Sequence, residues 1–246
     1  MRFDCLEFSL STLICSFAIF KATKYSPNFM LRRILTRAMS TKASPYKARV
    51  TAIEPLQQGK WIQTRKIEYN DPNGNPKQWE MAVRTTRSDT TNVDAVSIVS
   101  VLHHENKAKE LVLVKQFRPP CEKVLIEMPA GLVDPKESIE TTAVRELLEE
   151  TGYHGTFRKQ SSIMFSDPGL TNANMVLAHV DVDLKDPKNQ NPIPQLEENE
   201  FIETFTLPLD NLLEEMEKIC EKEGCSVDAR LYHFAKGIEL AKGFEL

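Results

Sequence analysis

The chain has 246 residues, a length that allows one domain or a domain with a small annex, and its contents of 41% hydrophobic and 27% charged residues are ordinary for a globular protein. The net charge of −4 is uneven, because residues 1–49 carry nine lysines and arginines against two acids and the remainder is acidic. An acidic body binds nucleic acid poorly, so we expect no nucleic-acid partner. Five cysteines without a C-x-x-C pair argue against a zinc site and a disulfide framework.

Residues 1–49 are predicted to be a basic tail that resembles a targeting segment. The stretch that begins at Met30 is basic, amphipathic and contains Ser and Thr, as transit peptides do. The apolar run from Leu10 to Phe20 is too short to span a bilayer, so we expect no membrane partner. The tail predicts a mitochondrial location, a cytoplasmic one or both, since Met30 and Met39 are possible internal starts. A tail with no targeting function is the alternative.

Residues 50–88 are predicted to form a small antiparallel β annex. Two strand-like runs, 61–69 and 78–87, flank a segment rich in Asp, Asn, Gly and Pro that is typical of a turn. The two tryptophans of the chain, Trp61 and Trp79, lie one on each arm. Aromatic residues usually pack in a core or an interface, but two flat rings could also clamp a base.

Residues 89–246 are predicted to form an α/β domain with a mixed sheet and helices packed on its faces. The predicted strands are 95–102, 110–117, 124–128, 156–165, 175–182 and 201–207. After the acidic helix described next, one helix is predicted from a cap at Asp210 to about Glu223. A last helix is predicted from Ser226 or Asp228 to about Lys242.

The segment from Gly131 to Tyr153 combines a glycine after a strand with an acidic helix. At about 100° per residue, three carboxylates lie within roughly 100° of one another around the helix axis. They are Glu146, Glu149 and Glu150, and the opposite side carries Val144, Leu147 and Leu148. We therefore expect an apolar face on the core and an acidic face turned away from it. The crowded carboxylates suit Mg²⁺, although a solvated surface helix is the alternative.

This segment resembles the Nudix box, G-x5-E-x7-R-E-U-x-E-E-x-G-U, in which U is aliphatic. Eight of nine positions of fixed type match, and Tyr153 at the last one is the departure. The matching residues are Gly131, Glu137, Arg145, Glu146, Leu147, Glu149, Glu150 and Gly152. The resemblance implies a Nudix α/β/α sandwich that hydrolyses a diphosphate bond with Mg²⁺, or with Mn²⁺ in its place. Its metal ligands would be the Ala130 carbonyl, Glu146, Glu149 and Glu150, while Arg145 pairs with Glu137 or a helix carboxylate.

Beyond the box, the chain from about Gly59 to Ala241 resembles the ADP-sugar pyrophosphatase branch of this family, the ADP-ribose type. The segments that carry this resemblance are Gly59–Trp61, Gln78–Glu80, Arg84–Arg87, Lys115–Pro120, Glu127–Gly131, Asp167–Leu170 and Val227–Arg230. In that branch, aromatic residues that match Trp61 and Trp79 sandwich adenine, often across a homodimer. We expect Arg84 and Arg118 to bind the substrate phosphates, since guanidinium groups match phosphate oxygens. Surface ion pairs are the alternative for both arginines.

The catalytic residues predicted from the resemblance are Glu149, Arg145 and Glu200. Glu200 matches a glutamate that reaches the metals and acts as general base, although Glu197 and Glu198 are close enough in sequence to take that role. Glu127 is expected either near the ligand or as a structural partner of the annex.

The predicted activity is hydrolysis of ADP-ribose to AMP and ribose 5-phosphate. Other substrates with the same chemistry remain open, namely an oxidised nucleoside diphosphate, NADH or a dinucleoside polyphosphate. A non-catalytic ADP-ribose sensor is the alternative from another functional class.

Overall fold

The computed structural model describes residues 49–198 and 200–243, so the predicted targeting-like tail falls outside the described residues, apart from Arg49. The strands and helices are β1 Arg49–Gln58, β2 Ile62–Asn70, β3 Pro76–Arg84, β4 Ala95–Leu102, β5 Glu110–Arg118, β6 Lys123–Glu127, β7 Ala130–Leu132, α1 Ile139–Thr151, β8 Gly155–Gln160, β9 Met164–Phe165, β10 Asn174–Val182, β11 Ile202–Pro208, α2 Leu212–Glu223, β12 Ser226–Val227 and α3 Ala229–Gly243. No helix in the described ranges is long and apolar enough to cross a membrane.

The predicted annex is confirmed as an antiparallel sheet, but it has three strands in the order β1-β2-β3. The hairpin turn between β2 and β3 forms because the Asp71 carboxylate accepts the amides of Asn73 and Asn75, both at 2.9 Å. Gly74 supplies the positive φ of 87° that this turn requires. The sequence analysis did not anticipate β1, which pairs with β2 through two irregularities of register.

The large sheet is mixed, as predicted, with the path β12-β6-β5-β4-β10-β8 and three further pairings, of β11 with β5, β7 with β4 and β9 with β10. Strand β10 runs parallel to β4 and antiparallel to β8. Alternate residues of β10 are buried against α1, in a cluster that includes Val176, Ala178 and Val180. A second cluster lies beneath α2 and α3 and includes Met216 and Leu231. Helices therefore cover both faces of one sheet, which confirms the expected α/β/α sandwich.

The starts of the last two helices differ from the prediction in one case and refine it in the other. Asp210 does not cap α2, which begins after a short 3₁₀ turn, and Asn211 precedes it without a side-chain cap bond. Ser226 lies in β12, whereas the Asp228 carboxylate accepts the Arg230 amide at 2.9 Å and thereby caps α3.

Candidate active site

The glycine of the acidic segment allows α1 to lie directly against the short strand β7. Residues Ala130–Leu132 pair with β4, and a Cβ placed on Gly131 would lie only 1.8 Å from Cδ of Glu146. No side chain fits in that space, so glycine is required for the close approach of the carboxylate to the strand. The sequence predicts a tight loop here, whereas the structure has the short strand β7.

The orientation of α1 corrects one expectation of the sequence analysis. Glu150 was placed on a face turned away from the core, but its side chain is buried and shares the inner face with Ala143 and Leu147. Its carboxylate accepts the backbone amide of Ala130 at 3.0 Å. This hydrogen bond satisfies the amide at the start of β7 and compensates for the burial of Glu150. A polar residue therefore lies on the inner face of α1, where the apolar pattern predicts only apolar residues.

Arg145 connects three carboxylates of the segment into one network. Its Nε and Nη2 donate to the two oxygens of Glu137 at 2.9 and 2.8 Å, a bidentate pair. Its Nη1 donates to Glu146 at 2.8 Å and to Glu149 at 2.9 Å. The expected pairing of Arg145 is therefore confirmed for both alternatives at once, and the geometry gives this arginine an organising role.

Glu146 and Glu150, at the end of the segment that faces β7, have raised pKa values. Burial raises the pKa of Glu146 to about 7, against the opposing effect of Arg145. Burial also raises the pKa of Glu150 to about 8, and the charges of Glu146 and Glu200 add to that effect. Glu137 is the opposite case, since the hydrogen bonds from Arg145 lower its pKa. A positive charge added near Glu146 and Glu150 is therefore strongly favourable.

Glu200 is brought to the same place by a loop that packs on α1. The Gln195 amide donates to the Glu149 carbonyl at 2.7 Å, and Gly152 ends the helix with a φ of 77°. A Cβ on Gly152 would lie 2.3 Å from the Ile193 backbone, so this glycine also permits the contact with the loop. The Glu200 carboxylate accepts the Glu197 amide at 3.0 Å, and its charge acts on both buried carboxyl groups of α1.

A cavity of about 540 Å³ opens beside β7 and contains the predicted phosphate-binding arginines. Arg84 and Arg118 both line it, together with Ala130 and Gly131. Arg118 is held by Glu127, whose oxygens accept from its Nε and Nη2 at 2.6 and 3.0 Å. Glu127 is only 3% exposed, so the buried carboxylate fixes the guanidinium at the cavity wall. The geometry thus assigns Glu127 a partner that the sequence analysis left open.

Two residues of the cavity wall have roles that the sequence analysis did not recognise, Asp228 and Arg230. The Arg230 guanidinium donates to both oxygens of Asp228, at 2.8 and 2.6 Å. The segment Val227–Arg230 counted only as part of a resemblance. An Asp and an Arg two residues apart at the start of a helix were the available signal, because the Asp caps the helix and can also hold the Arg.

The two tryptophans of the annex do not form a clamp within one chain. Trp79 pairs with Ile67 on β2, whereas Trp61 immediately precedes β2. Six residues of extended strand therefore separate their positions, a distance of roughly 20 Å. Rings on either side of a base lie about 7 Å apart, at van der Waals contact with it. Both indoles are exposed, at 61% and 52%, and Trp79 donates its Nε1–H to the Gly169 carbonyl at 3.1 Å.

Within the described residues, no three His, Cys, Asp or Glu side chains are already grouped as an ion site. Arg145 engages Glu146 and Glu149, and Glu150 holds the Ala130 amide. The chemistry of these groups nevertheless fits a hard divalent cation. Buried, mutually repelling carboxyl groups with raised pKa values gain most from a nearby positive charge, and all their donor atoms are oxygens.

Comparison with known proteins identifies the segment and the fold around it. The family model described as NUDIX domain matches residues 91–223. The chain is 46% identical to an ADP-ribose pyrophosphatase of Saccharomyces cerevisiae over 219 residues, which are 87% of this chain and 94% of that protein. It is 37% identical to an ADP-sugar pyrophosphatase of Mus musculus over 209 residues, 84% of this chain and 95% of that one. A crystal structure of an ADP compounds hydrolase has the same fold, with a TM-score of 0.55 at 19% identity, covering 83% of this chain and 98% of that one.

Proposed function

The chain belongs to the Nudix family of hydrolases, and we propose that it hydrolyses the diphosphate bond of ADP-ribose and related ADP-sugars, releasing AMP and a sugar phosphate. The names of the yeast and mouse relatives support this substrate class. The observation that carries the proposal is the cavity itself. Arginines line its wall, and the carboxylates of α1 lie at the strand that forms its edge, so a diphosphate in the cavity meets both.

Mg²⁺, with Mn²⁺ as a possible substitute, is the cofactor that the oxygen donors fit. The ligands we propose are Glu146, Glu149, Glu150 and the Ala130 carbonyl. When bound, such an ion neutralises charge on the diphosphate and lowers the pKa of a water molecule. Arg145 would then act as a positioning residue, because it holds the side chains of Glu146 and Glu149 in place.

The side chains of the chain supply the remaining parts of the reaction. Arg118 and Arg84 bind the phosphate oxygens and stabilise the charge that the leaving phosphate acquires. Glu200 accepts the proton of the attacking water, with Glu149 as the nearest alternative on α1. One phosphorus–oxygen bond forms to that water, and the bond to the bridging oxygen breaks. Glu200 is suited to this role because its loop is held on α1 through Gln195.

Recognition of the adenine is proposed to require a homodimer. The separation of Trp61 and Trp79 along the annex is too great for one chain to sandwich a base, and both rings are exposed to solvent. A second copy of the chain could place its own tryptophan opposite the first. The exposed rings then have a function that a monomer cannot give them.

The compartment is proposed from the tail alone. Its basic, amphipathic composition favours a mitochondrial address, and a product that begins at Met30 or Met39 would favour the cytoplasm. Fractionation of cells that express the full chain tests this. Recovery of the protein with secretory membranes would contradict it.

The direct test of the activity compares initial rates in Mg²⁺ on ADP-ribose, ADP-glucose, NADH and diadenosine tetraphosphate, with AMP as the measured product. We expect ADP-ribose or ADP-glucose to give the highest kcat/KM. A higher value on NADH or the dinucleotide would contradict the substrate class. Binding of ADP-ribose in Mg²⁺ without release of AMP would instead identify a sensor.

A further inference from the structure

Arg230 lines the cavity but has no role in the hydrolysis proposed above. It lies in the first turn of α3, two residues after the capping residue Asp228. Strand β12, which precedes the cap, pairs with β6, and the Asp228 amide donates to the Ile126 carbonyl at 3.0 Å. The start of α3 is therefore attached to the strand that ends in Glu127.

The guanidinium of Arg230 is held in the same way as that of Arg118. In each case Nε and Nη2 donate to the two oxygens of one carboxylate, Glu127 for Arg118 and Asp228 for Arg230. Neither pair uses Nη1, and Nη1 of Arg230 lies 3.3 Å from the Met175 sulfur. A guanidinium fixed by such a fork loses little entropy when its remaining donors bind a ligand.

The position of Met175 shows how far Arg230 lies from the metal-binding end of the site. Leu132, Ala95 and Met175 are paired side by side on three neighbouring strands, β7, β4 and β10. Two strand spacings separate the first from the last, a distance of about 10 Å. The Arg230 guanidinium nevertheless lies near that of Arg118, since Nη2 of each approaches the same Glu127 oxygen, at 3.8 and 3.0 Å, so a group attached to a diphosphate on Arg118 comes within reach of Arg230.

The surroundings of Arg230 suit a sugar. Leu125, Leu132 and Met175 line the cavity with apolar surface, on which the C–H groups of a sugar ring can pack. The free N–H groups of a fixed guanidinium are directional donors to hydroxyl oxygens. Asp228 forms a bidentate pair with Arg230 and compensates its charge, so the site does not need a second anion there.

We propose that Arg230 binds hydroxyl oxygens of the sugar beyond the diphosphate, that Asp228 positions Arg230, and that this pair determines which sugar the enzyme accepts. The inference rests on the proposed ADP-sugar hydrolysis and adds the part of the chain that recognises the sugar.

The test uses the full chain and two ligands that share the ADP group. Arg230→Met and Arg230→Lys are compared with the wild type for KM on ADP-ribose and for the inhibition constant of ADP, which has no second sugar. Lys236→Met, a partly exposed position on the same helix and outside the cavity lining, is the matched control. We expect Arg230→Met to raise KM about tenfold, as for the loss of a charged hydrogen bond, and to leave the inhibition constant of ADP within about twofold. Lysine keeps the positive charge but cannot reproduce the fork with Asp228, so Arg230→Lys should raise KM by a smaller factor than Arg230→Met does.

Asp228→Asn tests the positioning role. Asparagine keeps an oxygen to cap α3 but loses the bidentate pair, so KM for ADP-ribose should rise, and it should rise no further when the substitution is added to Arg230→Met. An independent, additive effect of the two substitutions would contradict positioning.

Each outcome decides the proposal. If the KM for ADP-ribose and the inhibition constant of ADP rise together, or neither changes, Arg230 does not recognise the sugar. If the melting temperature falls for Arg230→Met but not for Arg230→Lys, the two constants are compared between the wild type and Arg230→Lys instead. If the wild type releases AMP from no ADP-sugar, the proposed function is refuted. If the wild type turns over normally but the Arg230 variants leave the ratio of the KM for ADP-ribose to the inhibition constant of ADP unchanged, only the role of Arg230 is overturned.

Discussion

The metal-binding segment and the annex contrast in how completely one chain builds them. Between Gly131 and Gly152, the carboxylates, the arginine that holds them and the glycine that admits them are all in contact within one subunit. In the annex, Trp61 and Trp79 lie far apart along a hairpin and are exposed. The groups proposed for the chemistry are thus assembled locally, whereas the proposed recognition of the base between two tryptophans would require a surface from a second copy.

The largest expected effect comes from the buried carboxylate of the segment. Glu150→Gln keeps the shape of the side chain and can still accept the Ala130 amide, but it removes the negative charge. We expect kcat in Mg²⁺ to fall by about 10³-fold, as for loss of several kcal/mol of transition-state stabilisation, with the fold intact. Rates on ADP-ribose and a melting curve measure both quantities.

Glu140→Gln on the same helix is the matched control, since Glu140 is exposed in the first turn of α1. Its rate should equal that of the wild type. A Glu150→Gln enzyme that retains more than about a tenth of the wild-type rate would refute the assignment of this carboxylate to the metal.

A smaller loss is expected when the close approach at β7 is blocked. Gly131→Ala places a methyl group where the Glu146 carboxylate lies, so that side chain must move. We expect kcat to fall by about 10²-fold, as for a displaced catalytic group. Gly237→Ala is the control, because a Cβ at this position in α3 meets no atom within 4 Å and should raise the free energy of unfolding by about 0.5 to 1 kcal/mol. Equal activity of the two variants would contradict the close-contact account.

The same contrast explains what the sequence could predict. The pairing of Arg145 with Glu137 joins residues only eight apart, and the resemblance to the Nudix box led us to expect it, with a helix carboxylate as the alternative. Glu150 was placed on the wrong face because apolar periodicity detects buried apolar residues and not buried polar ones. Here a backbone amide of β7 stabilises a buried carboxylate. That amide belongs to a strand too short to give a periodic signal.

Long-range contacts were the least predictable part of the site. Asp228 and Arg230 meet the cavity only because β12 pairs with β6, about a hundred residues earlier in the chain. Strand β1 likewise has no regular pairing pattern, since its register with β2 shifts twice. The bounds of the other predicted strands agree with the structure to within a few residues, except that the strand predicted at 156–165 is divided into β8 and β9.

Substitutions in the annex should affect binding more than turnover. Trp79→Ala removes one stacking surface, and such a surface contributes about 1–3 kcal/mol per base. We expect KM for ADP-ribose to rise about tenfold while kcat changes little, because the metal-binding segment is untouched. Trp61→Ala should have the same effect. An equal fall in kcat for these variants would contradict the separation of the two regions.

The most direct test of the central claim, that chemistry lies within one chain and base recognition needs two, is an equimolar mixture of Trp61→Ala and Trp79→Ala proteins after subunit exchange. In a mixed dimer, one site receives an intact tryptophan from each subunit, and the other site receives none. AMP release at low ADP-ribose should therefore exceed that of either variant alone, with about a quarter of all sites restored to the wild-type KM. A mixture that is no more active than its separate components would contradict the account.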